Sequence, residues 1–281
     1  MKIGILCLLL SSFILTTACS SNYHEPLIDT PEVVNKTISS ESTDTEVSIK
    51  QEPLADGELL KKTDNVKKPL ICIEAGHQEK ANLELEPTAP GSKIMKEKVR
   101  GGTQGVQTKK AEYQLNLEVA MMLENALAED FDVVMVRRTN DVDISNSERA
   151  MICNDAEADL MIRLHADGNE NSQVKGMTFI YPSPENEYTK PVAEKSKDIL
   201  EVVAQDIISE TGAKSRGIIP RGDLTGFNWL KVPSILIEMG FMTNKEEDVL
   251  LSNAEYQRRI VAGIKKGLIN YDFINNMNSG Q

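Results

Sequence analysis

The chain has 281 residues, room for one large or two small folded units at roughly 150 residues per domain. Apolar residues at 40% and charged residues at 26% are enough to build a sizeable core and exclude a wholly disordered or fibrous chain. Lys+Arg 31 against Asp+Glu 43 gives a formal net charge of -12, which offers no general attraction to nucleic acid, and no apolar run reaches the ~18–20 residues of a membrane span.

Residues 1–18 read as a signal peptide: Met1-Lys2, an apolar stretch through Leu15, and a small-residue exit. The exit Leu15-Thr16-Thr17-Ala18-Cys19 resembles a bacterial lipoprotein signal, which makes Cys19 the expected lipidation site and the membrane contact an N-terminal lipid anchor only. Thr16 stands where such signals usually carry Leu, so an uncleaved anchor or an ordinary cleaved signal are the alternatives, the latter releasing a secreted protein. In each case the working domain is extracytoplasmic. Residues 19–67 are polar, without a sustained apolar period, and cannot bury enough surface to offset chain entropy; they are expected to be a disordered linker in which His24 is inert.

From about residue 68 to 273 the texture becomes that of one α/β domain, followed by a polar tail over 274–281. Leu70–Ile73 is a short apolar strand leading to His77, and Val133–Val136 is a second. Asp159–Leu164 is a third that delivers His165, and Ser234–Ile237 is a fourth that delivers Glu238. Open α/β sheets place their sites at such carboxyl ends. For either histidine alone a satisfied structural role is the simpler reading. Glu238 is harder to leave unassigned, because a carboxylate at the end of a buried strand needs a cation, a donor or a proton.

A helix is expected over Glu112–Glu129, with Leu115, Val119, Met122 and Ala126 as its core stripe. Stepping back three residues from Leu115 reaches Glu112, which begins that stripe. Taken alone, Glu112 would simply favour the helix amino terminus. With His77 and His165, the only other histidines besides His24, it completes two imidazoles and a carboxylate, the three-ligand set of a catalytic zinc with one position open to water. Glu238 would stand beside that water to move protons.

These residues resemble the zinc-dependent N-acetylmuramoyl-L-alanine amidases of the third amidase type, bacterial cell-wall hydrolases, over about residues 69–270. The matching pieces are Ala75-Gly76-His77, Glu112 with Asn116-Leu117, Ser147-Glu148-Arg149-Ala150, Arg163-Leu164-His165-Ala166-Asp167, and Val232 through Asn244. The resemblance implies a mixed, mostly parallel sheet of about six strands flanked by helices, of which four strands are legible directly. It implies one Zn2+ held by His77, Glu112 and His165, and Glu238 as the catalytic carboxylate. It also implies a peptidoglycan substrate cut between N-acetylmuramic acid and L-alanine; a regulatory partner is left unnamed. Glu74-Ala75-Gly76-His77-Gln78-Glu79 departs from the family's Asp-Pro-Gly-His-Gly-Gly opening, which concerns loop shape rather than the metal.

The stretch 78–111 is too long for an ordinary structureless loop and reads as a rim or mobile cover of the groove, or as a disordered insertion. Trp229 can stack on a sugar or pack at a loop, and is not assigned to the site. Cys72 and Cys153 read as small buried thiols, with a disulfide between them after export left open. Two other functions share these residues: a zinc peptidase acting within the stem peptide, and a non-catalytic wall-binding lipoprotein that has kept the fold.

Overall fold

The computed structural model describes residues 67–273. The expected signal peptide, Cys19, His24, the linker up to residue 66 and the 274–281 tail lie outside the described residues. In chain order the elements are β1 (Leu70–Ala75), β2 (Asn82–Pro87), β3 (Met95–Val99), α1 (Glu112–Leu127), β4 (Asp132–Met135), α2 (Asn146–Asp155) and β5 (Leu160–Asp167). They continue with β6 (Met177–Pro182), α3 (Lys190–Thr211), β7 (Ser215–Arg221), α4 (Thr225–Asn228), β8 (Ser234–Phe241), α5 (Lys245–Leu251) and α6 (Ala254–Asn270).

Six strands form one sheet in the order β4-β1-β5-β8-β6-β7, parallel throughout except where β6 runs antiparallel to β8. The sheet is therefore mixed and mostly parallel, as expected. The four strands legible in the sequence are its contiguous parallel part, β4-β1-β5-β8, each within a few residues of its expected bounds. Side chains alternate across the sheet. Ile71, Ile73, Ile162, Leu164, Ile235 and Ile237 pack with α1, α3 and α6, while Cys72, Met161 and Leu236 pack with α2 and the Phe227–Leu230 segment. Burying each large aliphatic side chain stabilises the domain by about 1.5–3 kcal/mol before entropy is subtracted.

Helix α1 turns its buried face slightly from the expected stripe. Glu112, Leu115, Val119, Ala120, Leu123 and Leu127 are buried, whereas Met122 and Ala126 are only partly so. Met122 and Ala126 each precede a fully buried leucine, Leu123 and Leu127, and lie at the edge of the buried face, one residue's rotation from its centre.

Two further readings are resolved. Cys72 of β1 and Cys153 of α2 form a disulfide, with Cα atoms 5.6 Å apart and 81 residues of separation. The 78–111 stretch is neither structureless nor a disordered insertion: β2 and β3 pair as an antiparallel hairpin outside the main sheet. The hairpin is fixed by buried Glu86, whose carboxylate accepts from the backbone N–H groups of Asn146 and Ser147, both at 3.1 Å, and from the Ser147 hydroxyl at 2.5 Å. That places an acid on the amino terminus of α2, where the free N–H groups and helix dipole favour it. The indole of Trp229 donates to Pro87 O at 3.0 Å and Asn228 donates to Thr88 O at 3.0 Å, so Trp229 is engaged in holding the hairpin.

Candidate active site

Strands β1, β5 and β8 are neighbours and parallel, so their carboxyl ends lie side by side. His165 and Glu238 are register partners on β5 and β8. Both have the side-chain parity of Met161 and Leu236, which aims them to the same side of the sheet. His77 sits just beyond β1 with a positive φ of 60°, a conformation a non-glycine residue adopts only when its surroundings impose it.

Those surroundings are a buried cationic scaffold to which sequence reasoning assigned no role. Arg137 donates to Ala75 O at 2.8 Å and Gly76 O at 3.0 Å, and Arg149 donates to Ala75 O and His77 O, both at 3.1 Å. The carbonyls of the turn that carries His77 are thus held by two guanidinium groups. Glu74 supplies the counter-charge: Arg149 lies 3.2 Å and Arg163 2.5 Å from its carboxylate, and all three side chains are buried. Burial alone would raise the Glu74 carboxyl, but Arg163 and Arg149 outweigh it and hold it well below the usual carboxylate range. Glu74 is therefore a structural anion whose side chain reaches both arginines.

Around Glu112 the three expected ligand residues converge. Its Oε1 lies 3.2 Å from His77 Nε2 and 3.2 Å from His165 Nδ1, and the ligand atoms of all three side chains lie within 4.8 Å of one another. The backbone N–H of Thr103 donates to Oε2 at 2.9 Å, and that of Ala166 to Oε1 at 3.2 Å. Burial would raise Glu112, but hydrogen bonds from His165 and His77 overcome it and hold it below the usual range. Burial would lower His77, but Glu112 and the Arg100 carbonyl, 2.8 Å from Nδ1, raise it; burial, with the charge of His77, lowers His165. The Arg100 contact assigns Nδ1 of His77 to the backbone and leaves Nε2 facing the cluster.

Close approach of backbone makes the cluster possible. A Cβ on Gly76 would fall 2.2 Å from the His165 ring, and one on Gly102, whose φ is +77°, would fall 2.8 Å from the Glu112 carboxylate.

The donor set fits a zinc ion. Two imidazoles and a carboxylate are the ligands of open catalytic sites, and the 3.2 Å spacings are close to the ~3.4 Å expected between tetrahedral ligands about 2.0–2.1 Å from a common centre.

Glu238 faces the same cleft as His77 and His165. Burial, and then the carboxylates of Glu112 and Asp167, raise its carboxyl well above the usual value, so at this site it exchanges a proton at a much higher pH than a free glutamate. Asp167, which also lines the cleft, is raised by its burial and by Glu112 against the opposing Gly168 N–H. The structure thus brings together the four expected site residues, and adds Glu74, Arg137 and Arg149 beneath them. Neither arginine is marked by its sequence neighbours, Val136 and Arg138 for Arg137 and Glu148 and Ala150 for Arg149, and their partners are too far away in sequence to be paired by spacing.

A family model described as N-acetylmuramoyl-L-alanine amidase matches residues 71–270. Among curated proteins, the N-acetylmuramoyl-L-alanine amidase LytC of Bacillus subtilis is 27% identical over 160 residues, which cover 57% of this chain and 31% of the relative. The chain therefore spans about a third of that protein's length. Among solved structures, an N-acetylmuramoyl-L-alanine amidase from Clostridium difficile 630 is 25% identical with a TM-score of 0.61, covering 76% of this chain and 100% of its own. The amidase Ami1 of Mycobacterium smegmatis is 21% identical with a TM-score of 0.67, covering 75% and 99%, and shares the fold.

Proposed function

We propose that this chain, which belongs to the N-acetylmuramoyl-L-alanine amidase family matched over residues 71–270, hydrolyses the amide between the lactyl group of N-acetylmuramic acid and the first L-alanine of the peptidoglycan stem. The observation that carries the reading is the convergence of His77, Glu112 and His165 beside a cleft-facing carboxylate, Glu238, whose affinity for a proton is raised by its surroundings. His77, Glu112 and His165 would hold one Zn2+, which when bound polarises the amide carbonyl and lowers the pKa of water.

The protein's own groups carry the proton movements. Glu238 takes a proton from the attacking water as its oxygen bonds to the lactyl carbon, and returns it to the alanine nitrogen as the C–N bond breaks. Arg137 and Arg149 hold the His77 turn in place throughout, and Thr103 N–H keeps Glu112 oriented. The products are a lactyl carboxylic acid on the glycan and a stem peptide with a free amino terminus.

Peptidoglycan lies outside the cytoplasm, in keeping with the signal read over residues 1–18 and a lipid at Cys19. Among the described residues no helix is long and apolar enough to cross a membrane.

The test is digestion of purified peptidoglycan by the zinc-loaded chain, with mass spectrometry of the fragments. Bare glycan strands and stem peptides beginning with L-alanine are expected. Cleavage between stem residues would replace the amidase with the peptidase reading, and zinc bound without any release would leave a wall-binding protein.

A further inference from the structure

The cleft continues to both sides of the residues that surround the reacting bond. His77, Arg100, His165 and Glu238 border two cavities, one of about 630 Å³ and one of about 620 Å³, so a substrate lying across them has one half in each. The two arms differ in chemistry.

The first arm runs between the β2–β3 hairpin and the β7–α4 segment. Leu85 and Met95 face it from the hairpin, with 58% and 45% of their surface exposed, and Leu224 and Leu236 line it opposite. Its cations are Lys96, Arg100, Arg163 and Arg221, of which Arg163 is buried and paired with Glu74. Its two other acids are already engaged, Glu97 by Arg100 at 2.5 Å and Asp223 by Arg221. The second arm is lined by Thr103, Asp167, Asn169, Glu170 and Thr243, with Arg100 as its one lining arginine. Acids, amides and hydroxyls suit a neutral polyol and repel a carboxylate; apolar wall and guanidinium suit an anionic peptide.

Arg221 is built to be such a group. Its Nε donates to Asp223 Oδ1 at 2.7 Å and its Nη2 to Asp223 Oδ2 at 2.9 Å, a fork that fixes the guanidinium plane. Asp223 is itself tied to the hairpin, since Lys96 Nζ donates to its carbonyl oxygen at 2.6 Å. Of the five N–H donors of a guanidinium, this fork uses two and leaves the outer edge for a ligand. The side chain is 43% exposed and lines the same cavity as Glu238.

We propose that Arg221, clamped by Asp223, binds a free carboxylate of the stem peptide, so that the peptide half of the substrate lies along the hairpin and the glycan half lies in the acidic arm. The inference rests on the amidase reading for the identity of the peptide; the carboxylate site itself rests on the arm's chemistry. It makes the enzyme sensitive to amidation of the stem, a modification that removes this charge without altering the scissile bond.

The experiment compares two soluble muropeptides that differ only in a free α-carboxylate or a carboxamide on the second stem residue, using the zinc-loaded full chain. The wild type is expected to favour the carboxylate by roughly 10–100-fold in kcat/KM, chiefly through KM, which is the usual worth of a charge-assisted hydrogen bond. Arg221→Gln should bring that ratio close to one, and Arg221→Lys should restore part of it. The released stem peptides, titrated calorimetrically into the chain without added metal, should show the same preference and the same loss in Arg221→Gln. A wild-type ratio near one in both measurements, or a ratio that survives Arg221→Gln, overturns the assignment. If neither muropeptide is cut while the calorimetric preference and its loss persist, the amidase reading fails and the carboxylate site stands.

Discussion

His165 and Glu238 occupy paired positions on adjacent parallel strands, so one step across the sheet separates an expected metal ligand from the expected proton carrier. The two jobs are distinct although both groups are partly buried on neighbouring strands, and substitution can separate them.

Glu112→Gln removes the one anionic ligand and should lower zinc content, with activity lost because the metal is lost. Glu238→Gln leaves His77, Glu112 and His165 intact, so zinc should stay near one per chain while turnover falls roughly 10²–10⁴-fold. Metal by atomic emission and peptidoglycan release on the same preparations check this. Zinc lost from Glu238→Gln and kept in Glu112→Gln would reverse the assignment.

Glu74→Gln should destabilise the domain by about 3–5 kcal/mol at neutral pH, because Arg149 and Arg163 remain buried without their counter-charge. The folded-state carboxyl is depressed, so its stabilisation is complete above the ordinary glutamate value of 4.5 and is lost as pH falls through the folded value. Urea denaturation of both proteins at neutral and acidic pH checks the sign: the gap between them must shrink on acidification. A gap that widens in acid would show that Glu74 is not held ionised.

Cys153→Ser should lower stability by about 2–5 kcal/mol, since the wild-type bond closes a long loop and restrains the unfolded chain. Thermal denaturation with and without reductant is the check. Reductant should bring the wild type down to the variant and leave the variant unmoved; equal stability of all four samples would mean that the thiols are not joined.

Cys19→Ala should abolish lipid attachment and leave the protein either released from the cell or retained as an unprocessed precursor. Intact mass and membrane fractionation measure it. An unchanged mass and membrane association would place the anchor elsewhere.

The contiguous parallel part of the sheet was legible because β1, β5 and β8 carry apolar runs, broken by Glu74 in β1 and Arg163 in β5, on the way to His77, His165 and Glu238, and buried strands declare themselves that way. β7 was not, because Ser215–Arg221 contains Gly217 and Pro220, residues that argue against a strand. Its place at the sheet edge, paired on one side only, tolerates both. The hairpin was hidden for a different reason. β2 alternates Leu83, Leu85 with Glu84, Glu86, and local pattern cannot reveal that Glu86 is buried on a helix terminus 60 residues away while the leucines face outward. The ligand set was readable from residue types at element ends; the arginines that hold its backbone were not, because carbonyl acceptors leave no mark on sequence.

Trp229 is the one tryptophan in the chain, and its indole N–H is bonded to the hairpin at Pro87. Intrinsic fluorescence is thus a single-site reporter that needs no label. Since the indole sits where the hairpin meets the domain, a change in emission on adding peptide or glycan fragments would record a rearrangement at one wall of the cleft.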